Sequence, residues 1–210
     1  NAFAAVPLVF RYSQLLAMIR EVAVGEAVRY ASFKFIAGNV SRYVESGCEW
    51  MLQRAAAGGG CTLNLGVHFL DLAGLLLGPL DVETAVMSNA VAHVDVEDHG
   101  VVVLRGAGGT AMVETGYAYP APHNSFDMHF SIRTDRRYFA VRDAQSVEIS
   151  DLDGHHEVRL MLTTNVPHYP TFTLDTLRRI ERGEPPTASL GDMASIVRLV
   201  ERAYQLSPLA

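Results

Sequence analysis

Asn64, His68 and Asp71 stand at i, i+4 and i+7 in a stretch otherwise made of Leu, Val, Phe, Ala and Gly. At helical pitch that spacing puts three polar side chains on one face. Polar groups on an apolar helix must either find partners or face a cleft. Histidine can take up or release a proton near neutral pH, its unperturbed pKa lying near ~6.5. An amide such as Asn64 cannot ionise, so it can only orient a ligand or the imidazole beside it. Two readings are open on the residues alone. His68 could accept the proton of a hydroxyl group in a cleft, or it could be a core histidine satisfied by Asp71 or by backbone. Asp71 is expected to pair with a neighbouring cation or to close a structural network.

The element carrying these residues has start and stop signals. Gly58, Gly59 and Gly60 free the backbone, Thr62 is placed to act as the N-cap, and Gly78 followed by Pro79 ends the helix. Before it, Ala4 to Arg11 is an apolar run that reads as a buried strand, and Ser13 caps a helix closed by Gly25. Ala27 to Ala37 alternates as a strand. Residues 38–57 lack periodicity and hold Arg42, Tyr43, Glu49, Trp50 and Arg54; a long irregular loop in a compact domain tends to be functional. Trp50, the only tryptophan, is either a plug over the core or a wall of a pocket.

After Gly78 the texture changes to strands over Val82–His93, Glu97–Arg105, Thr110–Tyr119, Phe126–Arg133, Tyr138–Val141, Ser146–Ile149 and His156–Leu162. Short turns between them predict antiparallel pairing. Gly106-Ala107-Gly108-Gly109 is a hairpin turn, because no helix follows it as a dinucleotide-binding loop requires. Two helices close the chain. One runs from Pro170 to Arg182, with Phe172, Leu174, Leu177 and Ile180 on roughly one side; the other runs from a Ser189 cap to Gln205.

The run from Gly58 to Asp71 resembles the Gly-Gly-Gly-x-Leu-x-Asp/Asn-x-x-x-His-x-x-Asp helix of the glucose–fructose oxidoreductase and inositol dehydrogenase (Gfo/Idh/MocA) family. Phe10-Arg11-Tyr12-Ser13 followed by helix, Val24-Gly25-Glu26-Ala27 and strand is similar to the segment that follows that family's nucleotide-binding domain, with Ser13 where proline is usual. The ending from Phe172 through Arg182-Gly183-Glu184-Pro185-Pro186 to Tyr204 is similar as well. The resemblance covers nearly the whole chain. It implies an α+β domain, a large, open and mostly antiparallel sheet with helices on one face, and no Rossmann domain. It further implies one C-terminal substrate-binding and oligomerisation domain over residues 3–210, Asn1 and Ala2 being the remainder of an expression tag.

By the same resemblance His68 is the acid/base and Asn64, where Asp is common, orients the substrate; Arg11, Trp50, His123 and Asn124 line the substrate pocket. The activity implied is NAD(P)-dependent hydride transfer on a sugar, polyol or related cyclic alcohol. NAD or NADP is expected on a domain absent from this sequence, with none bound here, so the chain alone would be inactive. The implied partner is a second copy docked through the open sheet face. A stand-alone binding or assembly module of the same fold is the competing reading, supported by Asn64 in place of Asp.

Bulk properties exclude several classes. With 210 residues, 49% hydrophobic and 19% charged, the chain is long and apolar enough for one sizeable core. A net charge of -6 argues against nucleic acid. No apolar run is expected to span a membrane. Cys48 and Cys61 are expected as two lone thiols of a cytoplasmic protein. His93, Asp95 and His99 lack metal-ligand spacing, so no metal is expected.

Overall fold

Alternation along the strands decides which side of the sheet becomes core. In β1 (Val28–Gly38) Ala31 and Phe33 are fully buried, whereas Tyr30 and Lys34 on either side of them reach solvent. Successive strand side chains point to opposite faces, so one face is committed to the interior. The computed structural model describes residues 2–120 and 125–209. Among these the sheet has eight strands in the order β2-β3-β4-β1-β5-β6-β7-β8. The others are β2 (Leu80–Ser88), β3 (His99–Gly106), β4 (Thr110–Tyr119), β5 (Phe126–Thr134), β6 (Arg137–Val141), β7 (Ser146–Asp151) and β8 (His156–Leu160). Every neighbouring pair is antiparallel except β1 with β4. That parallel pair follows from the chain order: β1 is inserted between two strands formed much later. The hairpin at Gly106–Gly109 is as the glycine pattern predicts, with Gly106 N–H donating to Gly109 O at 2.9 Å.

The helices are α1 (Gln14–Val22), α2 (Ser41–Glu45), α3 (Arg54–Ala57), α4 (Val67–Leu77), α5 (Tyr169–Arg182) and α6 (Leu190–Leu206). Leu15, Leu16 and Ile19 of α1, Phe69, Leu70 and Leu72 of α4, and Ile196 and Val200 of α6 pack on Phe33, Val102, Val113 and Phe130 in one apolar core. The Ser13 hydroxyl accepts from Leu16 N–H, and Ser189 with Asp192 forms a full capping box on α6, so both predicted caps are in place. Among the described residues no helix packs on the opposite sheet face. That face carries the ion pairs Lys34–Asp127 and His99–Glu114, with Val86 60% and Val158 55% exposed.

Three expectations are corrected, and one apolar stripe turns out to face outward. Ala4 to Arg11 is buried in part but is not a strand: it ends in a 3₁₀ turn, Val9–Tyr12. Pro7 cannot donate to a ladder, and the run packs by side chains instead. β2 ends at Ser88, before His93, whose φ of 54° is left-handed. In α5 no residue is buried, and Leu174, Leu177 and Ile180 all lie on the outside. That helix is anchored by polar contacts, because the Asp175 carboxylate accepts from Tyr12, Arg179 and Thr187. Finally, Arg54–Leu77 is long and apolar enough to cross a membrane by length and composition, but 61% of its most apolar window is buried inside the domain. It is a core segment here.

Candidate active site

The helix bearing Asn64 and His68 starts irregularly. Thr62–Gly66 forms one π-helical turn that passes directly into α4. Such wide turns recur at functional sites because they re-aim side chains. Thr62 is not the cap that was expected. Its hydroxyl contacts Met87 Sδ at 3.4 Å, while its own N–H donates to Glu97 Oε1 at 3.0 Å and Gly60 N–H donates to Glu97 Oε2 at 2.8 Å. Glu97 lies beyond β2 and is 1% exposed; it also accepts from Tyr204 of α6 at 2.7 Å. A carboxylate at a helix N-terminus satisfies orphan amides and the dipole together. This explains the glycines: a Cβ on Gly60 would stand 2.1 Å from Glu97 O, and one on Gly59 2.0 Å from Tyr204 Oη.

The wide turn separates the three polar residues. Asn64 Nδ2 donates to Tyr43 Oη at 2.7 Å and to Tyr117 Oη at 2.9 Å, which leaves its carbonyl oxygen free to accept. Burial pushes the Tyr117 phenol well above its ordinary pKa, so it stays a neutral hydroxyl. His68 instead meets Phe10 edge-on at 6.5 Å and lines a cavity of about 20 Å³ with Phe35, Leu65, Met128 and Asn165. That volume accommodates about one water or hydroxyl. His68 Nδ1 is buried with no partner among the described residues. Burial lowers the His68 pKa below 6.5, keeping a neutral imidazole that can accept a proton at neutral pH. Asp71 does not serve His68. It takes Arg11 Nε and an Arg11 terminal nitrogen, the shortest contact being 2.7 Å.

Arg11, expected to line the substrate pocket, is held by partners within the protein. Its guanidinium is spent on Asp71, Asp192 and the Thr187 carbonyl, because a buried cation needs counter-charge from the protein. It borders a separate groove of about 830 Å³ between α4, α6 and β2, not the His68 cavity. Trp50, on a 3₁₀ turn at Glu49–Leu52, is 53% exposed; it is no plug over the core and does not line the His68 cavity. His123 and Asn124 lie outside the described residues. Cys48 and Cys61 are free thiols, as expected.

Sequence reading passed over His168. It is buried, packs on Phe10 at 6.4 Å as His68 does, and has Nε2 without a partner. Nothing local marks it, since it sits on the short turn Val166–His168, a hundred residues from His68. Burial lowers its pKa too. Below about pH 6.5 the unfolded chain takes up protons at both histidines while the native state does not, so stability falls with pH there; above that both states are neutral. The thermal midpoint is expected to drop between pH 7.5 and 5.5, and a His68→Gln/His168→Gln double variant is expected to flatten that slope. A midpoint that holds or rises on acidification would contradict the burial of these imidazoles.

Residues 12–138 match the model of the GFO/IDH/MocA C-terminal domain. The chain belongs to that family. Solved structures share the fold of this GFO/IDH/MocA domain over nearly its whole length. Levoglucosan dehydrogenase in complex with NADH and levoglucosan is 19% identical with a TM-score of 0.76, covering 99% of this chain and 65% of its own. An oxidoreductase from Agrobacterium radiobacter in complex with NAD+, L-tartaric acid and magnesium is 20% identical with a TM-score of 0.73, covering 95% and 59%. A 3-ketoreductase from Actinomadura kijaniata with NADP and TDP-benzene is 18% identical with a TM-score of 0.71, covering 96% and 61%. The GFO/IDH/MocA chain described here thus spans 59–65% of the length of these relatives. No curated protein sequence matches it.

The glycine run leading into the Asn64 helix offers no free amides to a phosphate. A pyrophosphate needs glycine amides at a helix N-terminus. The one glycine run leading into a helix has its amides at Gly60 and Thr62 already taken by the Glu97 carboxylate.

Proposed function

We propose that this chain is the substrate-binding part of an NAD(P)-dependent oxidoreductase acting on the CH–OH group, or the matching carbonyl, of a sugar, polyol or cyclic alcohol. The observation that carries the reading is a neutral, half-buried His68 and, one turn before it, an Asn64 whose carbonyl oxygen has no partner among the described residues, in a GFO/IDH/MocA domain. The His68 imidazole exchanges the hydroxyl proton, and Asn64 accepts from a neighbouring hydroxyl and sets the ring's orientation. Tyr43 and Tyr117 hold the amide in place. The nicotinamide, NAD or NADP, belongs to a part of the enzyme other than the described residues, and the chain alone is inactive. The two free thiols support a cytoplasmic setting.

The test is turnover by protein made from the complete gene, with NAD+ and NADP+, against a panel of neutral sugars, sugar acids and polyols, followed by nicotinamide absorbance in both directions. Turnover of at least one compound is expected. Retained sugar binding without turnover in either direction would favour the second reading, a binding module, for which the non-ionisable Asn64 speaks.

The helix-free sheet face supports a homodimer, its exposed Val86 and Val158 flanking the ion pairs of the central strands. Light scattering is expected to give a dimer whose mass does not change on dilution through the micromolar range. A monomer at high concentration would remove that assignment.

A further inference from the structure

Arg42 is the one residue of the site whose chemistry the proposed reaction does not use. It stands on α2, and one terminal nitrogen donates to Tyr43 Oη at 2.7 Å, the oxygen that also receives Asn64 Nδ2. The guanidinium carbon lies 4.7 Å from the centre of the Tyr43 ring and 5.2 Å from that of Tyr117. Stacking on two phenols holds the planar group in one orientation. Arg42 Nε is buried without a hydrogen-bond partner, and among the described residues no carboxylate pairs with this side chain. Arg11, by contrast, is met by two carboxylates.

Arg42 is partly buried, and its orphaned Nε–H, shut away from water, is costly unless an acceptor arrives to complete it. Its place decides which anion. The guanidinium is two hydrogen bonds from Asn64, so whatever completes it is bound while Asn64 and His68 hold the reacting carbon. A guanidinium matches a carboxylate with two parallel N–H···O bonds. A phosphoryl group carries nearly two charges and would call for a second cation, and among the described residues Arg42 is the cation found against this tyrosine pair.

We infer that Arg42 is a substrate-specificity residue and that the substrate is an acid, a sugar or polyol carrying a carboxylate, which Arg42 binds while Asn64 and His68 take the hydroxyl. This rests on the oxidoreductase reading of Asn64 and His68, and names the substrate class of that same site.

The experiment is ¹H–¹⁵N NMR of the chain, following the Arg42 Nε–H, the Asn64 side-chain amide and the His68 ring during titration with D-glucuronate, D-glucose and D-glucose 6-phosphate. Glucuronate is expected to shift all three residues, and glucose to shift Asn64 and His68 weakly without moving Arg42. In Arg42→Gln, which keeps size and hydrogen-bonding capacity but loses the charge, glucuronate affinity is expected to fall tenfold or more while glucose affinity holds; Arg42→Lys should recover part of the loss.

Glucose binding as tightly as glucuronate, or an unchanged glucuronate affinity in Arg42→Gln, overturns the inference and leaves the oxidoreductase reading standing. Tighter binding of the phosphate ester overturns the carboxylate in favour of a phosphoryl group. If none of the three compounds moves Asn64 or His68, both the inference and the reading of the site fall. Folding of the variant is checked by its amide spectrum, and Arg42→Lys serves if Arg42→Gln does not fold.

Discussion

Asp71→Ala is expected to lower unfolding free energy by about 3–5 kcal/mol, the cost of leaving a buried cation without its main partner. Arg11 is 13% exposed and Asp71 5%, and three of the four contacts between Arg11 and carboxylates go to Asp71. Burial raises the Asp71 carboxyl above its ordinary value, with the Arg11 charge opposing that rise. The pair is therefore expensive to desolvate as well as strong, so its formation contributes little net stability while its rupture costs much. Asp192 remains beside Arg11 in the variant but is more exposed, and puts the loss at the lower end of the range. Urea denaturation measures it through the shift in midpoint at constant slope. The double variant Arg11→Met/Asp71→Leu is expected to recover most of the loss. A single variant losing less than about 1 kcal/mol would mean that the junction between the 3₁₀ turn, α4 and α6 is held by something other than this ion pair.

His68→Gln in the complete enzyme is expected to lower kcat about 10²- to 10⁴-fold, the range for removing a general base, with a much smaller effect on KM. Gln keeps a polar end of similar reach but cannot take the proton. Because burial depresses the imidazole pKa, the acidic limb of the kcat/KM profile of the unaltered enzyme falls below pH 6.5. That limb should vanish in the variant. A variant with undiminished kcat, or one whose profile keeps the same limb, would move the proton transfer to another group. His168, which also packs against Phe10, is the first to examine.

The part of this architecture that could be read in advance is the part governed by local chemistry. Period-two alternation identified the strands, the Ser13 and Ser189 hydroxyls marked two helix starts, and Gly183, with φ of 64°, ended α5. The spacing of Asn64, His68 and Asp71 flagged the site-bearing helix, and the glycine run before it marked a close approach without saying of what. Where local cues misled, a distant residue had intervened. Thr62 looked like a cap because its residue type and position fit, but Glu97 reaches the same amides from beyond β2. Leu174, Leu177 and Ile180 were placed on one side of their helix, but hydropathy cannot tell whether such a side meets the core, and here it faces outward.

Sequence by itself determined most of the strands, the two closing helices and the apolar face of the sheet, since each follows from side-chain period and backbone preference. Only the tertiary structure decided how the polar residues are used. It gave Asp71 to Arg11, left His68 neutral against Phe10, bound Asn64 to two tyrosines and brought Arg42 to the same hydroxyl. Those outcomes depend on partners tens of residues away. They are settled by burial, which makes every polar group find whichever counterpart the packed core brings within reach.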